Sequence, residues 1–254
     1  MKLRILLSLL LLFAFFNVIA QPVTYFLKIQ TLATKTRLAS ELYEKIDSLK
    51  QTRRPNQSSI KILFNRDVDF GYTQKRIQIE FNARDFYQLN LLIKNDTICL
   101  SSTIFSSVFG PSPGEAQANK TLGIPSMDTI GALNYLKLRN RFYKSTKTLN
   151  DLKNEINLNE IYALNGGDGY NETWYKKHID TLVRRKNYVE LEAMLKRINC
   201  ETQTYGVTAF NLLKKSGHTI PLADQKIIDH IKRRNSEIES TEGDLGPIIW
   251  KAYK

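Results

Sequence analysis

Three histidines, two cysteines and scattered carboxylates are the side chains in this sequence with the chemistry for catalysis or metal binding. His178 lies two residues before Asp180, a spacing that points the two side chains in different directions on a helix. His230 follows Asp229 on a face expected to be exposed, and His218 stands apart. No Gly-x-Ser-x-Gly elbow or His-Glu-x-x-His zinc pair accompanies any of them. A triad built from distant residues stays open, since triads are defined by geometry rather than order. Surface or capping histidines are the simpler reading. Glu155 and Glu160 come closest to the paired carboxylates of a glycoside hydrolase, but five residues do not set them cleanly on one helix face. They read as ordinary solvated acids.

The run Asn165-Gly166-Gly167-Asp168-Gly169 invites a phosphate or calcium loop. A phosphate cradle needs glycines opening a helix and a lysine or hydroxyl in register. A calcium loop needs alternating oxygen ligands and a closing glutamate. Asn165, Asp168 and Asn171 supply neither pattern, so the run reads as an interhelix turn with Asn171 capping the next helix. Cys99 and Cys200 have no cysteine or histidine at zinc-ligand spacing. They are either a disulfide, if the chain meets an oxidising compartment, or two small buried apolar side chains. The sequence thus assigns no catalytic, cofactor-binding or metal-ligating residue.

Basic clusters recur at Arg184-Arg185-Lys186, Lys196-Arg197, Lys214-Lys215 and Lys232-Arg233-Arg234. They suit an anionic ligand. They equally suit the last turns of helices, where cations meet the dipole and the orphan carbonyls. Tyr170, Trp174 and Tyr175 could stack on sugar or peptide, or pack on a helix face.

The elements that carry these residues divide in two. Residues 21–28 are apolar and read as a short extended segment. From Thr31 to Gln51, Leu38, Ala39, Leu42, Tyr43, Ile46 and Leu49 recur at helical steps, and Pro55 closes the stretch. The period then falls to two: Ile60, Ile62 and Phe64; Ile77, Ile79 and Phe81; Tyr87, Leu89, Leu91 and Ile93. Asn95-Asp96 is a two-residue hairpin turn, which predicts Ile93 opposite Ile98, Leu91 opposite Leu100, and Leu92 opposite Cys99 on the other face. Residues 109–126, rich in glycine and proline, read as a linker or loop. Helices are expected over 127–146 (inward side chains Ile130, Leu133, Leu136 and Phe142), 149–164, 172–186, 188–199, 202–216 and 222–236. The fold class is α+β: an N-terminal helix with a small antiparallel β-meander over 21–108, then a mostly α-helical region over 127–254.

Ahead of both lies a basic head, Met1-Lys2-Leu3-Arg4, and an apolar run from Ile5 to Phe16. This is the layout of a secretory signal over residues 1–20, with cleavage between Ala20 and Gln21. The run is shorter than the roughly 20 apolar residues of a spanning helix. No cysteine follows for lipid attachment, and no later stretch is long enough to span. The expected product is soluble, periplasmic or secreted. The net charge of +12 is spread over both halves, so it favours a general solubility charge over a nucleic-acid arm.

Residues 188–216 carry Leu191-Glu192-Ala193-Met194-Leu195, a polar step, and Thr204-Tyr205-Gly206-Val207-Thr208-Ala209-Phe210. This stretch resembles a HEAT-type helical hairpin, with Gly206 and Ala209 where helices cross. The resemblance implies helix-on-helix packing and a scaffold surface, and it brings no catalytic residue. The leader followed by Gln21 resembles exported proteins of Bacteroidetes-type bacteria. The expectation is an exported, non-catalytic protein that binds another macromolecule, protein or glycan, through its helical region. A hydrolase of cell-wall, glycan or peptide substrates with dispersed catalytic residues is the alternative, and a structural component of an exported assembly a third. No cofactor is implied, and the oligomeric state is not legible.

Overall fold

The computed structural model describes residues 27–51, 59–80, 85–107, 128–166, 171–241 and 248–253. The leader and its cleavage point, the turn at Pro55, the 109–126 segment and most of the glycine run lie outside these residues.

The chain is α+β, with N-terminal helices, a four-stranded antiparallel meander and a mostly helical C-terminal region. The single helix expected over 31–51 is two: α1 over residues 27–35 and α2 over Ala39–Gln51. The sheet separates them. Leu38 bridges to Thr97, and the Ile98 N–H donates to the Arg37 carbonyl at 2.8 Å. The Asp96 carboxylate then accepts from the Ser40 N–H at 2.9 Å and the Ser40 hydroxyl at 2.6 Å, starting α2 afresh. Ile29, Ala33, Ala39, Leu42 and Ile46 face the sheet.

The sheet runs β1 (Ile60–Asp67), β2 (Thr73–Glu80), β3 (Asp85–Lys94) and β4 (Thr97–Ser107), paired in that order. Asn95 and Asp96 have φ of 47° and 64°, as a type I′ hairpin requires. Ile93 faces Ile98 as the turn predicts, but the next pairs are Leu92 with Leu100 and Leu91 with Ser101. Cys99 is an extra residue in a bulge. The expected pairings of Leu91 with Leu100 and of Leu92 with Cys99 are therefore corrected by one step. As a result Cys99 and Leu100 both join Leu92 in the core on the helical side, while Tyr87, Leu89, Leu91 and Ile93 face α1 and α2. A second register shift, between Ile62 and Phe64, leaves Ile62 exposed.

The sheet is buried on both faces, and the second face is polar. Arg76, Asn90 and Ser102 lie side by side across three strands and meet α4 (Leu149–Ile156), which follows α3 (Thr129–Tyr143). The carbonyls that end α4 have no helical partner. The Arg76 guanidinium donates to those of Ile156 (3.3 Å) and Leu158 (2.7 Å), and Gln74 donates to Ile156 (3.1 Å). Asn157 joins this row through Asn90 and Ser102. This docking stops the helix expected to reach Leu164. Tyr162 instead bridges to Ser240.

Of the four side chains expected to face inward from α3, only Leu136 does. Ile130 and Leu133 are exposed, and Phe142 is at the surface, while Ala132, Tyr135, Leu136, Arg139 and Tyr143 are buried. Apolar residues occur all round this helix, so partners elsewhere chose the face. The remaining elements are β5 (Asn165–Gly166), β6 (Asn171–Glu172), α5 (Trp174–Arg185), α6 (Tyr188–Leu195), α7 (Cys200–Lys215), α8 (Leu222–Arg234), β7 (Glu237–Ser240) and β8 (Ile248–Lys251). The small pairs β5–β6, at the expected interhelix turn, and β7–β8, after the last expected helix, are strands that the sequence did not mark. Thr173, not Asn171, caps α5, by accepting from the Lys176 N–H. Among the described residues no helix is long and apolar enough to cross a membrane.

Candidate functional site

Two constellations stand out: a buried ionic centre between sheet and helices, and an exposed aromatic platform on α5.

The ionic centre begins in the β1–β2 turn. Asp69, Phe70 and Gly71 all have positive φ, at 99°, 55° and 73°. For aspartate and phenylalanine such backbone costs about 1–3 kcal/mol each and persists only when the surroundings impose it. Here they do. The turn drives the Asp69 carboxylate inward, where Oδ1 accepts from Arg234 and lies 2.9 Å from His230 Nε2. Oδ2 accepts from the Tyr143 hydroxyl at 3.0 Å, with Arg139 Nε at 3.8 Å. Burial works against ionisation of Asp69, but Arg234, His230 and Arg139 outweigh it and hold its pKa below the usual aspartate range. Burial and the neighbouring Asp69 charge push the Tyr143 hydroxyl up to about 12.

A second buried pair lies beside it. Arg66 grips both carboxylate oxygens of Glu201, at 2.5 and 3.1 Å, and donates to the Glu237 carbonyl. Glu201 also accepts the Glu239 N–H at 2.9 Å, fixing β7 against α7. Arg76, lowered to about 10 by burial and by Arg66, stands 3.7 Å from Glu239, whose own pKa is raised by burial.

His230 is therefore not on an exposed face, as the sequence suggested, but wedged against Asp69. An aspartate on one imidazole nitrogen is what orients a catalytic base. Here the same carboxylate oxygen is shared with Arg234, and the imidazole is packed by Phe142 (4.5 Å between centroids) and Phe70 (6.0 Å, stacked). That surrounding makes the pair a clamp on the strained turn. Glu155 and Glu160 are corrected too. Glu155 is buried, with Lys147 at 2.5 Å, Arg197 at 3.3 Å and the Ile198 N–H. Glu160, raised by burial, accepts from the Thr202 hydroxyl. Each is tied to partners of its own rather than left as an ordinary solvated acid. Cys99 and Cys200 are both free and buried, so the disulfide alternative gives way to two apolar-type thiols. Burial and Asp128 push the Cys99 thiol up to about 11. Among the described residues no cluster of His, Cys, Asp and Glu could hold a metal ion.

The platform is built differently. Trp174, the first residue of α5, is 68% exposed, so the inward helix packing weighed for it does not hold. It lies flat on His178, one turn on, with centroids 5.0 Å apart and planes 6° from parallel. His178 is held by Glu190 of α6 at 3.1 Å, and Glu190 accepts in turn from Asn187, the α6 cap. Tyr175 meets Trp174 edge-on at 5.1 Å and stacks on Tyr205 at 4.9 Å, which packs on Tyr162 at 4.6 Å. Tyr205 is fully buried, and its hydroxyl is fixed by Ile161, Ala163 and the Ala163 N–H. A column of rings thus runs from the core to one exposed indole, which is presented with little freedom left to lose on binding. The sequence singled out Trp174 and Tyr175, with Tyr170, which lies outside the described residues, but gave no sign of Tyr205 or Tyr162 behind them. His218 has no part in either constellation.

The chain matches no family model, no curated protein and no solved structure.

Proposed function

We propose that this chain is an exported, non-catalytic protein that binds a macromolecule of the cell envelope or exterior through its helical region, with the α5 surface around Trp174 as the contact. The observation that carries this reading is the exposed indole, stacked on His178 and backed by Tyr175 and Tyr205. A solvent-facing tryptophan is costly in hydrophobic terms and is the side chain most enriched at binding hot spots. The signal-like leader supports export. The buried acids Asp69, Glu155 and Glu201 are each engaged by cations inside the fold, which suits a structural role for them.

The test is co-sedimentation of the full chain with the insoluble envelope of the exporting cell. Wild type should pellet, Trp174→Ala should stay in the supernatant, and the recovered exported chain should begin at Gln21. Equal pelleting of the two proteins, or none by wild type, would overturn the reading.

A further inference from the structure

Resting on that reading, we infer that the ligand of α5 is an acidic polysaccharide, laid along the helix with a sugar ring on Trp174 and its carboxylates on the cations of the last turn. Trp174, Lys177, His178, Thr181, Arg184 and Arg185 recur at steps of three and four, so they form one stripe. The eleven steps from Trp174 to Arg185 rise about 16 Å, which accommodates several sugar units in line.

The cations are available because the helix does not need them. The usual role of basic side chains at a helix C-terminus is to meet its last carbonyls. In α5 the backbone does this. Lys186 adopts a left-handed conformation, φ 53°, and the N–H groups of Lys186 and Asn187 donate to Val183 and Leu182 at 3.1 and 3.0 Å. Arg184, Arg185 and Lys186 are exposed. Lys177, exposed midway along the stripe, extends the positive charge towards the indole.

The acids nearby are committed elsewhere. Glu172 and Asp180 both bind Lys176, at 2.5 and 2.8 Å, on the other flank of the helix. Glu190 is taken by His178 and Asn187. What remains facing outward is an aromatic face at one end and guanidinium forks at the other. A sugar presents C–H groups to a ring face, and its carboxylate fits an arginine fork in bidentate fashion. Single-stranded nucleic acid offers a similar pairing of ring and anion, but an exported chain meets polysaccharide first.

The experiment titrates the full chain with polygalacturonate, with neutral dextran and with oligo-dT, following tryptophan emission. Trp174 and Trp250 are the two reporters. Polygalacturonate should change the emission of wild type but not of Trp174→Ala. Its affinity should fall about tenfold or more, a loss of roughly 1.4 kcal/mol, in the Arg184→Gln/Arg185→Gln double variant, and it should weaken as salt is raised. These side chains are exposed, so unchanged urea midpoints establish that the variants fold. Equal binding of dextran would overturn the acidic class, and tighter binding of oligo-dT would reassign the stripe to nucleic acid. Failure of polygalacturonate while envelope sedimentation still requires Trp174 would sink this inference and leave the binding reading standing. Loss of the Trp174 dependence in both assays would sink both.

Discussion

At the scale of single residues, the decisive side chains are charges in the interior. Asp69 is almost wholly buried, and Arg234 and Arg139 meet it from α8 and α3. Burying such a group is tolerable only because its partners are fixed in place. Removing the charge leaves two guanidiniums uncompensated and takes away the clamp on a turn with three positive φ values. Asp69→Asn should therefore lower unfolding stability at neutral pH by about 3–5 kcal/mol, read from urea denaturation. The pH dependence has a definite sign. The folded pKa of Asp69 is depressed, so its contribution is present above the ordinary aspartate range and is lost as pH falls through that range towards the folded value. In Asp69→Asn that part of the acid limb should disappear; an unchanged acid limb would refute the assignment. The histidine was legible as a residue with chemistry. Its partner, 161 positions away, was not, because no local pattern links a strand turn to a helix end.

At the scale of elements, the hairpins and helices of the C-terminal region depend on close approach. Gly206 in α7 faces α6: a Cβ built there would lie 3.0 Å from the Leu195 backbone nitrogen and 3.1 Å from its side chain. Gln203 adds a hydrogen bond to the Leu195 carbonyl at 2.9 Å. A branched side chain at 206 would have to push the two helices apart. Gly206→Val should cost about 1–3 kcal/mol, measured as a lowered thermal midpoint with the exposed Trp174 emission little altered. A midpoint equal to wild type would show that the crossing is looser than these distances imply. Strands β2 and β3 were well marked by their period of two, since Ile77, Ile79, Tyr87, Leu89, Leu91 and Ile93 face the apolar layer of α1 and α2. Where the reading slipped by a residue, at Cys99, a bulge intervened, and a bulge has no composition of its own. The end of α4 slipped for a related reason. Arg76 reaches across from the sheet to satisfy the carbonyls there, and a tertiary cap leaves no stop signal beside the helix.

At the scale of the whole molecule, a sheet carrying arginines, glutamine and asparagine on one face is sealed between two helical layers. The interior therefore holds carboxylates of opposite tendency. Glu239 and Glu160 are raised by burial, unlike Asp69. A raised carboxyl contributes stability that is fully present below its unfolded pKa and is lost as pH rises through its folded value. Stability should consequently climb as pH rises through the aspartate range and decline again as these two glutamates ionise. Glu239→Gln should flatten the upper limb, and a curve of stability against pH that keeps the wild-type decline would count against it.

The sequence by itself determined the α+β class, the succession of N-terminal helix, antiparallel meander and mostly helical region, the hairpin at Asn95-Asp96 and the aromatic character of the start of α5, because each is written in local periods and turn residues. Only the tertiary structure decided which face α3 buries, that Glu155 is interior and Glu160 half-buried, and that both cysteines stay free. It also decided that Trp174 stands on a column of rings, and that Arg184 and Arg185 are spare while Arg234 is locked away. The physical reason is common to all of these. Whether a charge or a ring is exposed depends on which distant groups can replace its contacts with water, and those groups are brought together only by folding.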